Sequence, residues 1–441
     1  MRLLPLIGAT YFMVAGGPYG LEDIMGEAGF GVALLLLLAV PVIWSLPTAL
    51  MVGELASAIP DEGGYYIWVR RALGGFWGFQ EAWLSLAASI FDMALYPVTF
   101  VLYLSQVAPD WTAGHYAIVW KLAVVAGCVA WNLRGAKAVG GGSVWLFVVM
   151  LAPFAVLVVA GLWHGLAAHA AGGGFAALRR PIAAPNLLGA LSVCIWNYMG
   201  WDNASTVAQE VDDPQRTYPR AMLISAGLVA LTYVLPLLAV AVAGIPAEQF
   251  STGAWALAAR QIGGPRLFGA ALALAVVAGG TISGVGMFNA LMMSYTRIPY
   301  ALAEERLLPK LFARTTRAGV PWASVLLCAV AWGLAVRMSF ERLISIDLVL
   351  YGCALILEFI ALVVLRVKEP LLARPFRVPG GLPGAVVAGI GPAILIGFAM
   401  FAARDEKMAG MPALAFAAIL AACGPLLYGL AQWARGRTAR S

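Results

Sequence analysis

Ala15-Gly16-Gly17-Pro18-Tyr19-Gly20-Leu21-Glu22-Asp23, "AGGPYGLED", follows directly on the apolar run "LLPLIGATYFMV" at 3–14. Three glycines, a proline and two carboxylates thus interrupt a segment that otherwise reads as a membrane span. A helix beginning near Leu3 brings Gly16 to Gly20 roughly 20 Å along its axis, near or just past the middle of a bilayer. Pro18 has no amide hydrogen and disfavours helix at Gly17, while the glycines accept backbone conformations closed to other residues. Unpaired backbone groups are expensive in lipid, so a break there persists only where protein buries it or a water-filled cavity meets it.

Composition places the rest of the chain in the same setting. Of 441 residues 62% are hydrophobic and 11% charged, with mean hydropathy +0.87. Apolar runs of spanning length recur throughout, which identifies an all-α polytopic membrane protein. The net charge of +6 comes from basic residues lying between apolar segments, not from a patch or motif suited to nucleic acid. Cys128, Cys194, Cys328, Cys353 and Cys423 are scattered through apolar sequence without a CxxC spacing, so neither a metal nor a disulfide is expected, and no cofactor. The first residues carry no cleavage motif, and a removable signal peptide is not expected.

The apolar runs divide into about twelve transmembrane helices, at 3–28, 30–57, 76–107, 115–133, 141–164, 187–209, 221–244, 265–295, 321–338, 343–365, 383–402 and 411–433. No stretch reads as a soluble domain, so residues 1–441 are expected to form one transmembrane domain in the lipid bilayer. Lys and Arg concentrate in cytoplasmic loops of membrane proteins. A cytoplasmic N-terminus puts Arg2, Arg70, Arg71, Arg134, Lys137, Arg216, Arg220, Arg297, Arg306, Lys310, Arg314, Arg317, Arg366, Lys368, Arg374, Arg377, Arg435, Arg437 and Arg440 inside. That is 19 of 28, leaving 9 outside. Both termini are therefore expected in the cytoplasm, with the protein in the plasma (inner) membrane.

A second interruption lies in "SVCIWNYMGWDNAST" at 192–206, where Asn197, Gly200, Asp202 and Asn203 fall about 15 Å into the sixth span. The sixth span follows the first by five crossings and so runs the opposite way. Paired interruptions in corresponding, inverted halves point to a transporter binding site. Either break alone is also explained as a packing kink.

At this point the residues carry a resemblance. "ELASAIPDEGGYYIWVRRALGGFWGFQEAW" at 54–83 and "AQEVDDPQRTYPRAM" at 208–222 resemble the corresponding loops of the amino acid/polyamine/organocation permease superfamily. "GGPYGLED", "FDMALYPVTF" at 91–100 and "WNYMGWDNAST" at 196–206 are similar to its branch of plant-type polyamine uptake transporters. The resemblance implies a LeuT-type fold of two inverted five-helix repeats, about 3–164 and 187–365, with two peripheral helices at about 383–433. It also implies proton- or sodium-linked uptake of polyamines or amino acids. Many amino acid carriers of the superfamily offer a Gly-Ser-Gly-like element whose free amides meet the substrate carboxylate. Here Pro18 removes one such amide.

Charged groups within spans are costly and mark function by default. Asp92, at the midpoint of the third span, reads as a substrate counter-ion or proton carrier, or else as a carboxylate bonded to a neighbouring helix. Asp202 stands in the second break and also suits a helix cap. Glu22 and Asp23 open the half-helix after the first break, where acids complement the dipole. They either cap it or belong to an acidic pocket that favours a cationic ligand. Glu358 in the tenth span is open between a structural hydrogen bond and a gating or protonation role. Glu54 and Glu81 lie near span ends, where solvated or loop-pairing roles are expected.

Tyr19, Trp196, Tyr198 and Trp201 stand at the breaks, where an aromatic face could gain ~0.5–2 kcal/mol against an amine; apolar fill explains each one equally well. Thr281 and Ser283 in the eighth span occupy the place of an ion site in the sodium-linked carriers that the sequence resembles, although the many glycines around them also suit close helix packing. The expected function is a secondary permease taking up a polyamine or cationic amine, with Gly16, Gly17, Tyr19, Gly20, Glu22, Asp23, Asp92, Trp196, Asn197, Tyr198, Trp201 and Asp202 as substrate-site candidates. A neutral amino acid permease and a transporter-like sensor remain as alternatives. Enzymatic use is not expected, because His115, His164 and His169 form no nucleophile–base set and no phosphate loop is present.

Overall fold

The computed structural model describes residues 1–169, 175–408 and 410–438. Arg440 and the side chains of Lys137, His169 and Arg437, all weighed above, lie outside the described residues. In order the helices are α1 (Leu3–Val14), α2 (Glu22–Val40), α3 (Leu46–Ala58), α4 (Tyr65–Leu73), α5 (Gly75–Leu104), α6 (Pro109–Thr112), α7 (His115–Asn132), α8 (Ala136–His169), α9 (Leu187–Asn197), α10 (Pro214–Val242), α11 (Trp255–Gly263), α12 (Leu267–Tyr295), α13 (Arg297–Glu304), α14 (Trp322–Ala335), α15 (Phe340–Lys368), α16 (Gly381–Ala402) and α17 (Ala413–Thr438). A two-residue-per-strand hairpin pairs Lys407–Met408 with Met411–Pro412.

Among the described residues eight helical stretches are long and apolar enough to cross a membrane. One of them, Glu22–Ala58, is 37 residues long. Straight, it would measure about 55 Å, well beyond a ~30 Å hydrocarbon layer. Gly29, at φ 77°, divides it between the end of the first crossing and the start of the second. Added to the broken crossings and the shorter α7 and α14, these stretches make up the twelve crossings expected from the sequence.

Burial separates the inner bundle from its rim. The apolar window of α5 is 83% buried and that of α15 72%, against 28% for α16 and 17% for α17. The first two form the centre, and the last two present Leu, Ile, Val and Phe outward as lipid-facing helices do. Met1 and the last turns of α17 lie at one end of the bundle: the Met1 ammonium pairs with Asp212, and Arg435 lines a cleft with Asp61, Arg70 and Glu305. This is called the terminal end below, and the other the far end.

Four short helices, α4, α6, α11 and α13, interrupt connections between the expected spans. α4 and α11 are each nine residues, end on a glycine at positive φ (Gly74 at 95°, Gly264 at 78°), and lead into α5 and α12 of 30 and 29 residues. A residue with a Cβ is strained at such φ, so Gly sets the corner between each short helix and the long one after it. α4 sits at the terminal end and α11 at the far end, five crossings apart.

Candidate functional site

Both breaks are present and they touch. α1 ends at Val14, and Gly17 and Gly20 adopt φ of 73° and 91° before α2 begins at Glu22. α9 ends at Asn197, Gly200 turns at φ 93°, and Trp201–Glu210 continues as a 3₁₀ helix rather than the α-helix expected there. The sequence explains the difference. Thr206 has a side chain that competes for backbone partners, and its hydroxyl donates to the Asn203 carbonyl at 2.9 Å. A Cβ at Gly200 would lie 2.3 Å from the Met13 carbonyl oxygen, so only glycine lets the second break approach the first. The Asn197 amide donates to the Gly20 carbonyl at 3.3 Å, Trp255 Nε1 to the Pro18 carbonyl at 2.8 Å, and the Ser283 hydroxyl to the Gly16 carbonyl at 2.6 Å. The carbonyls freed by the first break are thereby satisfied from α9, α11 and α12. Thr281 instead bonds within its own helix, to the Ala278 carbonyl at 2.8 Å.

Glu22 is fully buried and accepts from the Gly20 amide at 2.7 Å, the Gly253 amide at 3.1 Å and the Tyr103 hydroxyl. It holds the turn that precedes α2 and ties it to α5 and to the far-end connection. Asp23 accepts from the Thr252 amide at 2.9 Å and the Thr252 hydroxyl at 2.6 Å. Tyr19 completes the junction by donating to the Val276 carbonyl at 2.7 Å, with its ring 4.8 Å edge-on to that of Tyr103. A substrate carboxylate seeking the Gly20 amide would find it already held by a carboxylate.

Deeper in the bundle, three aspartates converge from three elements. Asp92 of α5 accepts from Tyr96 at 2.5 Å and Tyr295 at 3.2 Å. Asp202, at the head of the 3₁₀ segment, accepts from Tyr351, whose oxygen in turn takes the Gly200 amide at 3.0 Å. Asp347 of α15 is fully buried, lies within electrostatic reach of Asp92 and Asp202, and has no hydrogen-bond partner on either oxygen. None of the three forms an ion pair among the described residues. Trp196 stacks on Tyr96 at 6.5 Å and meets Phe340 edge-on at 5.4 Å. Tyr198 and Trp201 point elsewhere: Tyr198 donates to the Leu37 carbonyl and Trp201 to the Tyr198 carbonyl, packing the break against α2.

Sequence reasoning missed Asp347, Tyr96, Tyr295 and Tyr351. The available signal was the spacing Asp347, Tyr351, Glu358, which at 100° per residue puts all three on one face of α15. Glu81 also differs from expectation, being fully buried rather than solvated. The start of α5 is covered by α17, through Gln80 to the Ala421 carbonyl and Trp83 to the Leu420 carbonyl.

Phe340 also borders a far-end cavity of about 670 Å³, lined by Asp23, Glu27, Glu341 and Glu406 with Val193 and Ile344. Among the described residues no Lys or Arg lines it. The terminal end is closed by ion pairs instead. Arg297 bonds Glu62 at 2.8 Å and also Glu210, Arg366 and Arg374 meet the fully buried Glu54, and Arg70 meets Glu305. At its edge the Arg71 fork grips Glu369 and holds that carboxyl below the usual glutamate range. The arrangement is a cavity at one end, an aromatic floor, a buried acidic cluster beside the second helix break, and a sealed opposite end.

Comparison with known proteins agrees with this architecture. The amino acid permease family profile matches residues 7–421. A probable polyamine transporter of Arabidopsis thaliana is 36% identical over 405 residues, covering 90% of this chain and 78% of its own. The polyamine transporter PUT1 of Oryza sativa subsp. japonica is 35% identical over 408 residues, 90% and 72%. The serine/threonine exchanger SteT of Bacillus subtilis is 26% identical over 347 residues, 76% of each chain. With twelve crossings, two broken helices in contact at the bundle centre and a family match across nearly its whole length, the chain belongs to the amino acid permease family.

Proposed function

We propose that this permease imports polyamines or closely related cationic amines by alternating access. The observation that carries the reading is that Asp92, Asp202 and Asp347 lie within electrostatic reach of one another and form no ion pair with a Lys or Arg among the described residues. Buried carboxylates without a counter-charge are unstable when ionised, and a ligand bearing several ammonium groups supplies the missing cations. The names of the two plant relatives support this chemistry. The alternative, an amino acid substrate as in the Bacillus relative, is disfavoured by Glu22 on the Gly20 amide.

In this reading the terminal end, with both termini, faces the cytoplasm and the acidic cavity faces outward across the plasma membrane. Residues 3–164 and 187–365 form inverted repeats, supported by the paired breaks and by the paired α4–α5 and α11–α12 corners. Asp23, Glu27, Glu341 and Glu406 raise the local concentration of cations in the cavity. Movement of Phe340 and Trp196 admits the amine, one ammonium docking between Asp92 and Asp347 against the faces of Trp196 and Tyr96. Asp202 and Gly16 to Gly20 then meet the rest of the chain. Closure over the far end and release of the Arg297, Arg366 and Arg70 pairs open the cytoplasmic side.

The reading is tested by thermal unfolding of the purified protein with putrescine, spermidine or L-serine, because a ligand of the folded state raises the midpoint. Spermidine is expected to stabilise and serine not; stabilisation by serine alone would refute the cationic reading.

A further inference from the structure

Below the aspartate cluster lies a second carboxylate pair. On α5, Glu81 precedes Asp92 by eleven residues, and on the antiparallel α15, Glu358 follows Asp347 by eleven. Eleven residues bring a side chain back to nearly the same face about 16 Å along the axis. The two helices pack along their length, α15 starting at the far-end cavity and ending where Lys368 bonds the Ala72 carbonyl. Asp92 and Asp347 lie within electrostatic reach of each other, and the same register brings Glu81 and Glu358 within reach one level nearer the terminal end.

Both glutamates are essentially unexposed, at 0% and 1%. Among the described residues Glu358 has no hydrogen-bond partner on either oxygen, and Glu81 has one only on Oε1, from Ser85 at 3.0 Å. They lie within electrostatic reach of each other, and the titratable groups facing them are Asp202, Tyr65 of α4, and Tyr351 and Cys353 of α15. No Lys or Arg is among these. Two unpaired carboxylates in an apolar setting cannot both stay ionised, and sharing a proton relieves the repulsion without a counter-ion. Ser283, on the other hand, already spends its hydroxyl on Gly16.

We propose that Glu81 and Glu358 form the coupling site of this permease, holding one transported proton between them and releasing it toward the terminal end. The proton binds a carboxylate oxygen and leaves as a proton, with no other bond changed. Asp202, facing both the pair and the aspartate cluster, links proton occupancy to ligand occupancy. The proposal rests on the permease assignment and not on the choice of polyamine over amino acid.

The test combines two readouts on the full chain. Infrared spectroscopy of the purified protein is expected to show a protonated-carboxyl band that diminishes in Glu81→Gln and in Glu358→Gln; this readout needs no substrate. In proteoliposomes, both variants are expected to lose accumulation of labelled spermidine driven by an inside-alkaline pH gradient, while keeping spermidine counterflow, which needs no net proton movement. An infrared band unchanged in both variants overturns the proposal. So does gradient-driven accumulation equal to the wild type, loss of counterflow along with accumulation, or accumulation driven by sodium instead. If the wild type transports no spermidine, the substrate reading fails and the infrared result still decides the pair.

Discussion

Asp347→Asn is the sharpest perturbation of the proposed substrate site. Its carboxylate is fully buried and has no hydrogen-bond partner among the described residues. The amide is nearly isosteric, so the variant leaves no cavity and breaks no internal hydrogen bond; it removes one negative charge from a site shared with Asp92 and Asp202. Stability of the empty protein should hold or rise, since like-charge repulsion falls. A hydrogen bond to a charged partner contributes about 1.5–3 kcal/mol. At 1.4 kcal/mol per decade, spermidine affinity should weaken roughly 10- to 150-fold. Isothermal titration of wild type and variant with spermidine, beside their unfolding midpoints without ligand, measures both effects. Affinity unchanged within experimental scatter would remove Asp347 from the site. A lower midpoint in the empty variant would mean that the carboxylate has a structural partner and that the reasoning is wrong.

Gly200→Ala should abolish folding or transport, because a Cβ there meets the Met13 carbonyl at 2.3 Å in a backbone already at φ 93°; expression and unfolding midpoint check it. Glu54→Gln leaves the Arg366 and Arg374 guanidiniums without their buried carboxylate and should cost about 3–5 kcal/mol of stability, read as a lower unfolding midpoint and faster proteolysis at the terminal end. The paired change Glu341→Gln with Glu406→Gln should slow uptake at low substrate concentration and low salt, with the difference from wild type vanishing at high ionic strength.

The breaks were legible because glycine, proline and aspartate stand out in apolar sequence, and the physical reason for each holds in the structure. Gly16 to Gly20 and Gly200 are where the backbone turns. What could not be read was which distant groups complete them. Glu22 and Asp23 could be caps or pocket acids from their positions alone, and the partners that define their contacts, Tyr103, Thr252 and Gly253, come from parts of the chain far away in sequence. Asp347 escaped because it stands five residues into the expected span at 343–365, where an acid passes for a solvated end. α15 in fact begins earlier, at Phe340, and other helices enclose it. Glu81 was misread for the same reason, since nothing local announces that α17 covers the start of α5. α4, α11 and α13 went unseen because a helix of eight or nine residues leaves too short a periodic pattern to separate from a loop.

Uptake into proteoliposomes with a competition panel tests the central claim most directly. With labelled spermidine as tracer, the account predicts saturable uptake displaced by unlabelled putrescine and spermidine and untouched by L-serine. Saturable uptake of labelled L-serine, indifferent to excess polyamine, would contradict it.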